Sequence, residues 1–270
     1  MALLPSQPIG VFDSGIGGLT VAHAIRQLLP NESMIYFGDT AHLPYGDKSE
    51  AAIQAYSIKI ADILVRKGCK IIVIACNSAS SAAYELLTEY VRKDIHIINV
   101  IDPMVSLVFD QFQGKSVGLI GTKRTVQSGV YNRKIEEGNK SIAINSVATP
   151  LLAPMIEEGF FNNKISRTII NSYLSRPKIK KIDALILACT HYPLIKPEIE
   201  EYYKKNIFIV DAADIVAHRV HHLLGAHQLL NPGTKGKHRF FISDFTKSFE
   251  ESTKIFFRGK IRLEHLNLWK

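Results

Sequence analysis

Short apolar runs alternate with amphipathic stretches along most of the chain. Ile9-Gly10-Val11-Phe12 reads as a strand that ends in Asp13-Ser14-Gly15-Ile16-Gly17-Gly18, and a helical period begins at Leu19. Met34-Ile35-Tyr36-Phe37 predicts a second strand, ending at Gly38-Asp39-Thr40. Turn residues fill His42 to Lys48, and Ser49 predicts the N-cap of a helix reaching about Lys67. Ile71–Ala75 predicts a third strand, Ser80–Arg92 a third helix, and Ile97–Ile101 a fourth strand stopped by Asp102-Pro103. Strands alternating with helices of this length imply βαβ units. Near-continuous apolar strands imply a parallel sheet covered on both faces.

The second half repeats the pattern. Val117-Gly118-Leu119-Ile120 is a strand ending in Gly121-Thr122, Ala184–Ala188 one ending at Cys189, and Ile207–Val210 one ending at Asp211. The halves match in order and at nearly one spacing: Ile9–Ser14 with Val117–Thr122, Ile72–Asn77 with Leu185–Thr190, and Val100-Ile101-Asp102 with Ile209-Val210-Asp211. The expected fold is therefore α/β, with two similar parallel-sheet domains. One would comprise residues 1–101 plus about 214–270, the other residues 102–213, with a cleft between them. The tail from Lys237 to Lys270 has mixed periodicity and predicts no element.

The 270 residues are 46% hydrophobic and 21% charged, a globular composition. The longest apolar runs, Ile71–Cys76 and Ala184–Cys189, fall far short of the roughly 20 residues of a membrane-spanning helix. The opening MALLPSQPIG lacks a basic and apolar leader pattern, so no secretory signal is expected. Three cysteines, Cys69, Cys76 and Cys189, do not make a disulfide framework, and a reducing cytoplasm is the expected compartment. The net charge of +8 raises nucleic-acid binding as a hypothesis. The basic residues are scattered and not interleaved with aromatics, so a solvated surface is the preferred reading.

Cys76 and Cys189 each follow the carboxyl end of an apolar strand, the edge at which open α/β sheets bind ligands. With the halves face to face, two sulfurs would approach one ligand from opposite sides. That suits inversion of a carbon beside a carboxylate: one thiolate removes the α-proton and the opposite thiol returns one. A thiol serves both roles because its ordinary pKa, about 8.5, lies near neutrality. Cys69, between Gly68 and Lys70, reads as packing. Asp13 is expected beside Cys76, with Gly121 as its counterpart; His191 follows Cys189, with Ser78 as its counterpart. By spacing alone Asp13 also reads as a helix cap, His191 as a turn residue before Pro193, and Glu157 as a solvated helix charge. Gly15-Ile16-Gly17-Gly18 opens a helix, with Asp39 near a ribose-binding position, which raises a dinucleotide-dependent oxidoreductase as an alternative. Thr20 breaks that fingerprint. Cys189-Thr190-His191 is not a zinc spacing, so no metal is expected.

Four segments together carry a more specific signal: Val11–Thr20; Gly38-Asp39-Thr40 with Pro44-Tyr45-Gly46; Ala75-Cys76-Asn77-Ser78-Ala79-Ser80; and Ala188-Cys189-Thr190-His191-Tyr192-Pro193-Leu194. They resemble the motifs of glutamate racemases, within the aspartate/glutamate racemase family, across nearly the whole chain. The resemblance implies two similar α/β domains with the site between them. It implies cofactor-independent interconversion of L- and D-glutamate, supplying D-glutamate for peptidoglycan. A racemase acting on aspartate or another amino acid is the close variant. Carried over by position, Cys76 and Cys189 resemble the catalytic thiols, Asp13 the carboxylate assisting Cys76, and Glu157 and His191 the pair assisting Cys189. Asp13, Ser14, Tyr45, Gly46, Asn77, Ser78, Thr190 and His191 match substrate-binding positions, and Thr122 and Thr125 would add hydroxyl contacts. Ser78 stands where the family more often has Thr, which keeps the hydroxyl. The implied partner is the small substrate, with neither membrane nor nucleic acid; a homodimer is compatible with this reading.

Overall fold

Every strand of the two sheets in this computed structural model runs parallel to its neighbours. Residues 2–233, 235–245, 253–257, 259 and 261–269 are described. The first half contains β1 (Ile9–Asp13), α1 (Leu19–Leu28), β2 (Met34–Gly38), α2 (Glu50–Arg66), β3 (Ile71–Ile74), α3 (Asn77–Tyr90), β4 (His96–Asn99) and α4 (Ile101–Gln111). The second half begins with β5 (Ser116–Gly121), α5 (Lys123–Gln127), α6 (Val130–Gly138), β6 (Ala143–Ala148) and α7 (Leu152–Glu157). It continues with α8 (Lys164–Leu174), α9 (Pro177–Lys180), β7 (Ala184–Ala188), α10 (Lys196–Tyr202), β8 (Phe208–Val210) and α11 (Ala212–Ala226). Two further strands follow, β9 (His238–Ile242) and β10 (Leu263–His265).

The strand orders are β10-β9-β2-β1-β3-β4 and β6-β5-β7-β8. The run β2-β1-β3-β4 and the run β6-β5-β7-β8 are the same arrangement, so the structure has the two similar parallel-sheet α/β units expected from the repeated strands. Register agrees for the first two strand matches: Ile9 pairs with Ile71 as Val117 pairs with Ala184. The third match is shifted. His96 pairs with Ile71 as Phe208 pairs with Ala184, which sets Asp211 opposite Asn99 rather than Asp102. The two capping roles agree, because Asn99 Oδ1 accepts from the Ile101 and Asp102 N–H groups and Asp211 Oδ1 accepts from the Ala213 N–H. Pro103 therefore does not stop a strand. It sits in the first turn of α4, where a missing N–H costs nothing.

Two other expectations shift for local reasons. α3 starts at Asn77, before the predicted Ser80, because the Cys76 side chain is its N-cap, accepting from the Ala79 N–H. Ser49 caps α2 as expected, accepting from the Ala52 N–H at 3.2 Å. The tail from Lys237 supplies β9 and β10, which extend the first sheet beyond β2. No described helix is long and apolar enough to cross a membrane.

Where the chain returns from the second sheet it is fastened by a buried ion pair. The Lys70 ammonium donates to Glu32 Oε2 at 2.6 Å, to the Leu229 carbonyl at 2.7 Å and to the Pro5 carbonyl at 2.5 Å. Glu32 Oε1 accepts from the Asn231 N–H at 2.7 Å. Both side chains are almost wholly buried. Three acceptors match the three ammonium protons, which offsets the cost of desolvating the pair. Lys70→Ala leaves Glu32 buried without its cation, and removing one partner of such a pair costs about 3–5 kcal/mol. Chemical denaturation is expected to show that loss; a change within experimental scatter would contradict this account of Lys70.

Candidate active site

The carboxyl edges of the two sheets meet, and the loops leaving them line a narrow cavity of about 30 Å³. Cys76, after β3, and Cys189, after β7, both line it. These are corresponding strand ends of the repeated unit. Cys76 sits at the N-terminus of the long helix α3, where the Ala79 N–H points at its sulfur from 3.4 Å and its own S–H donates to Ser14 Oγ at 3.5 Å. Burial pushes the Cys76 thiol up to about 12; Asp13 and Cys189 add to the rise, while Ser14 and the Ala79 N–H oppose it. Cys69 is elsewhere in the core, against Gly10, as packing requires.

Cys189 Sγ lies 3.6 Å from His191 Nδ1. His191 Nε2 lies 2.8 Å from Glu157 Oε1, at ion-pair distance but off the ring N–H direction. Burial alone would lower the His191 pKa, but Cys189 and Glu157 together outweigh it and hold the value well above the ordinary one. His191 is thus both the turn residue that opens the 3-10 segment Tyr192–Ile195 and a buried group on the cavity wall. Glu157 ends α7 pointing inward, so it is not the solvated helix charge its spacing suggests.

Asp13 is wholly buried one layer behind the cavity. Its Oδ2 accepts from the Gly15 N–H at 3.0 Å and its Oδ1 from Thr190 Oγ1 at 3.5 Å. Burial raises its pKa, with Glu157 adding; His191 and the Gly18 and Gly15 N–H groups pull the other way. Asp13 therefore caps the glycine loop and also faces the second lobe, bonded to Thr190 rather than to Cys76. The lobes touch closely here. A Cβ on Gly17 would lie 2.5 Å from both Thr190 Oγ1 and His191 Cε1.

The remaining expected residues divide into wall and backing. Ser14, Tyr45, Gly46, Asn77, Ser78, Thr122 and Thr190 line the cavity. Thr125 does not; its hydroxyl lies 3.1 Å from Thr122 Oγ1, behind it. Ser78 Oγ and Thr122 Oγ1 are 2.9 Å apart, linking the lobes. Asn77 Oδ1 accepts from the Tyr131 hydroxyl at 2.7 Å, whereas its buried Nδ2 has no protein partner among the described residues. An unpaired buried amide donor on a cavity wall is suited to an anionic ligand oxygen. Tyr131 lies in α6, remote in sequence from Asn77, and no motif points to it.

The dinucleotide alternative loses both of its supports. Second-lobe side chains occupy the space beside Gly17 that a pyrophosphate would need. Asp39 is buried, and its carboxylate already accepts from Tyr45, Ser243 and Trp269, with His42 alongside.

The sequence pattern of the Asp/Glu/hydantoin racemase family matches residues 15–220. The chain belongs to that family. Among its relatives, "Glutamate racemase 3" of Caldanaerobacter subterraneus subsp. tengcongensis is 41% identical over 94% of this chain and 92% of its own. The glutamate racemase of Geobacter metallireducens is 38% identical over 96% and 95% of the two chains. The crystal structure of glutamate racemase from Francisella tularensis in complex with D-glutamate superposes with a TM-score of 0.93, at 37% identity, covering 98% of this chain and 99% of that one. Racemase-family membership gives the two cavity cysteines a chemical context.

The His191–Glu157 contact has a pH signature. An unfolded histidine titrates near 6.5. The folded value is raised, so the contact contributes its full stability below about pH 6.5. The contribution shrinks as pH climbs toward and through the folded value. Denaturation of wild type and Glu157→Gln at pH 6 and pH 9.5 is expected to show the larger stability difference at pH 6; equal differences would contradict it.

Proposed function

We propose that this protein is a glutamate racemase that interconverts L- and D-glutamate by proton transfer at the α-carbon between two thiols, Cys76 and Cys189. The observation that carries this reading is the placement of both cysteines, from equivalent strand ends of two similar units, on one cavity. The D-glutamate bound to the Francisella tularensis relative supports the same substrate here. Supply of D-glutamate for peptidoglycan in the cytoplasm follows as the cellular role.

One cysteine, as thiolate, takes the α-proton, and the bond electrons remain as a carbanion conjugated with the carboxylate. The facing thiol then delivers a proton to the opposite face, which inverts the centre and exchanges the roles of the two sulfurs. Burial, which pushes the Cys76 thiol up to about 12, favours its protonated form. His191, holding its proton 3.6 Å from Cys189, balances negative charge on that side. The Asn77 amide and the Ser78, Thr122 and Thr190 hydroxyls are placed to bind substrate oxygens and stabilise the developing charge. The cavity lies where the two lobes meet, and closing them over the substrate would exclude water.

Circular dichroism of L-glutamate incubated with the protein is expected to decay to zero, and product formed in deuterium oxide is expected to carry deuterium at the α-carbon. Cys76→Ala and Cys189→Ala are each expected to lower racemisation by about a thousandfold or more with the fold intact. Full activity in either variant would end the two-thiol reading, and racemisation of aspartate but not glutamate would reassign the substrate.

A further inference from the structure

Tyr45 lines the cavity, but its hydroxyl faces away from it, donating to Asp39 Oδ2 at 2.6 Å. The same carboxylate gathers three other side chains. Ser243 Oγ donates to Oδ1 at 2.7 Å, the Trp269 indole N–H donates to Oδ1 at 2.8 Å, and His42 Nδ1 lies 3.0 Å from Oδ2. Asp39 is itself fixed to the active-site strand, because its N–H donates to the Asp13 carbonyl at 3.0 Å. Ser243 follows β9 and Trp269 lies four residues beyond β10, so a buried acid at the end of β2 ties the far C-terminus to the cavity wall.

The tie is reinforced by ring packing. Trp269 makes T-shaped contacts with His42 at 4.4 Å and Tyr56 at 5.3 Å. His42 stacks on Tyr56 at 4.0 Å, and Tyr56 lies 5.7 Å from Tyr45. Lys59 covers the indole at 4.9 Å. In front of this cluster, the segment Tyr45–Asp47 is where the lobes meet. A Cβ on Gly46 would lie 2.8 Å from Thr122 Cβ, Arg124 Nε donates to the Lys48 carbonyl at 3.4 Å, and Lys123 reaches Asp47 at 3.2 Å. A short segment pressed by the opposite lobe holds its place only if it is braced from behind, and the ring cluster and Asp39 are what stand there.

We propose that Trp269 is a positioning residue: through Asp39 and His42 it braces the Pro44-Tyr45-Gly46 segment against the second lobe and so sets the substrate-facing position of Tyr45. The proposal rests on the racemase reading for its kinetic consequence, but the brace itself is a property of the protein without substrate. Trp269→Phe keeps a ring and removes the N–H that Asp39 accepts. Asp39→Asn keeps the shape and replaces the anionic acceptor.

Amide hydrogen exchange of the ligand-free full chain tests the brace directly. In Trp269→Phe, exchange over residues 42–48 is expected to rise by about fivefold or more while α8, in the other lobe, is unchanged. Asp39→Asn is expected to show the same pattern and provides the test if the first variant does not fold. Unchanged exchange at 42–48, or an equal rise in α8, overturns the proposal whatever any activity assay shows. In kinetics with glutamate, the KM of Trp269→Phe is expected to rise severalfold in both directions with kcat within twofold of wild type; an unchanged KM in an active enzyme also overturns it. A wild-type protein inactive on glutamate would instead overturn the racemase reading and leave the exchange result to decide the brace.

Discussion

Burying an ionisable sulfur is the constraint around which the structure is arranged. Dry surroundings strengthen every electrostatic interaction in the cavity, and they also push the Cys76 thiol up to about 12. A group so placed is useful only if its charged form can be reached when needed. The compensation visible around Cys76 is modest and local: an N–H from the first turn of α3 and the Ser14 hydroxyl. The lobes meet around this group at Gly17, Gly46 and Thr122. Each allows or makes an approach that a larger or differently shaped side chain would block.

The two halves share a frame but not a chemistry. Cys76 is backed by an acid, Asp13, while the position corresponding to Asp13 in the second unit is Gly121. Cys189 is backed by an imidazole and a carboxylate, while the position corresponding to His191 is Ser78. The Asp13–Thr190 bond crosses between the lobes, so the supporting groups form one network rather than two sealed halves. Cys189 adds, as the smallest of the contributions, to the rise in the Cys76 pKa.

Much of this was legible in the sequence. The buried parallel strands announce themselves as Ile9–Phe12, Ile71–Ala75 and Ala184–Ala188, because burial on both faces demands unbroken apolar runs. Strands at or next to a sheet edge carry no such demand. Ala143–Ala148 alternates with polar residues, and His238–Ile242 opens with His and Arg, so neither stands out from its surroundings. The two cysteines were readable from their matched strand ends. Glu157 and His191 were readable only by resemblance, since a local pattern cannot say which way a helix end or a turn will face. Tyr131 and Trp269 left no signal, because each acts through a partner distant in the chain: Asn77 for one and Asp39 for the other.

The path of the chain has a mechanical consequence. After β4 it leaves the first sheet through α4, and after β8 it returns through α11, and these two helices pack against each other while α11 also lies along α1. A body joined by a single tether can twist freely. One joined by two adjacent, mutually packed tethers resists twisting and sliding and yields most easily to a swing about the line they share. The double crossing thus favours a swing over a twist, and the Lys70–Glu32 pair that clasps Leu229 and Asn231 fastens the returning crossing to the first sheet.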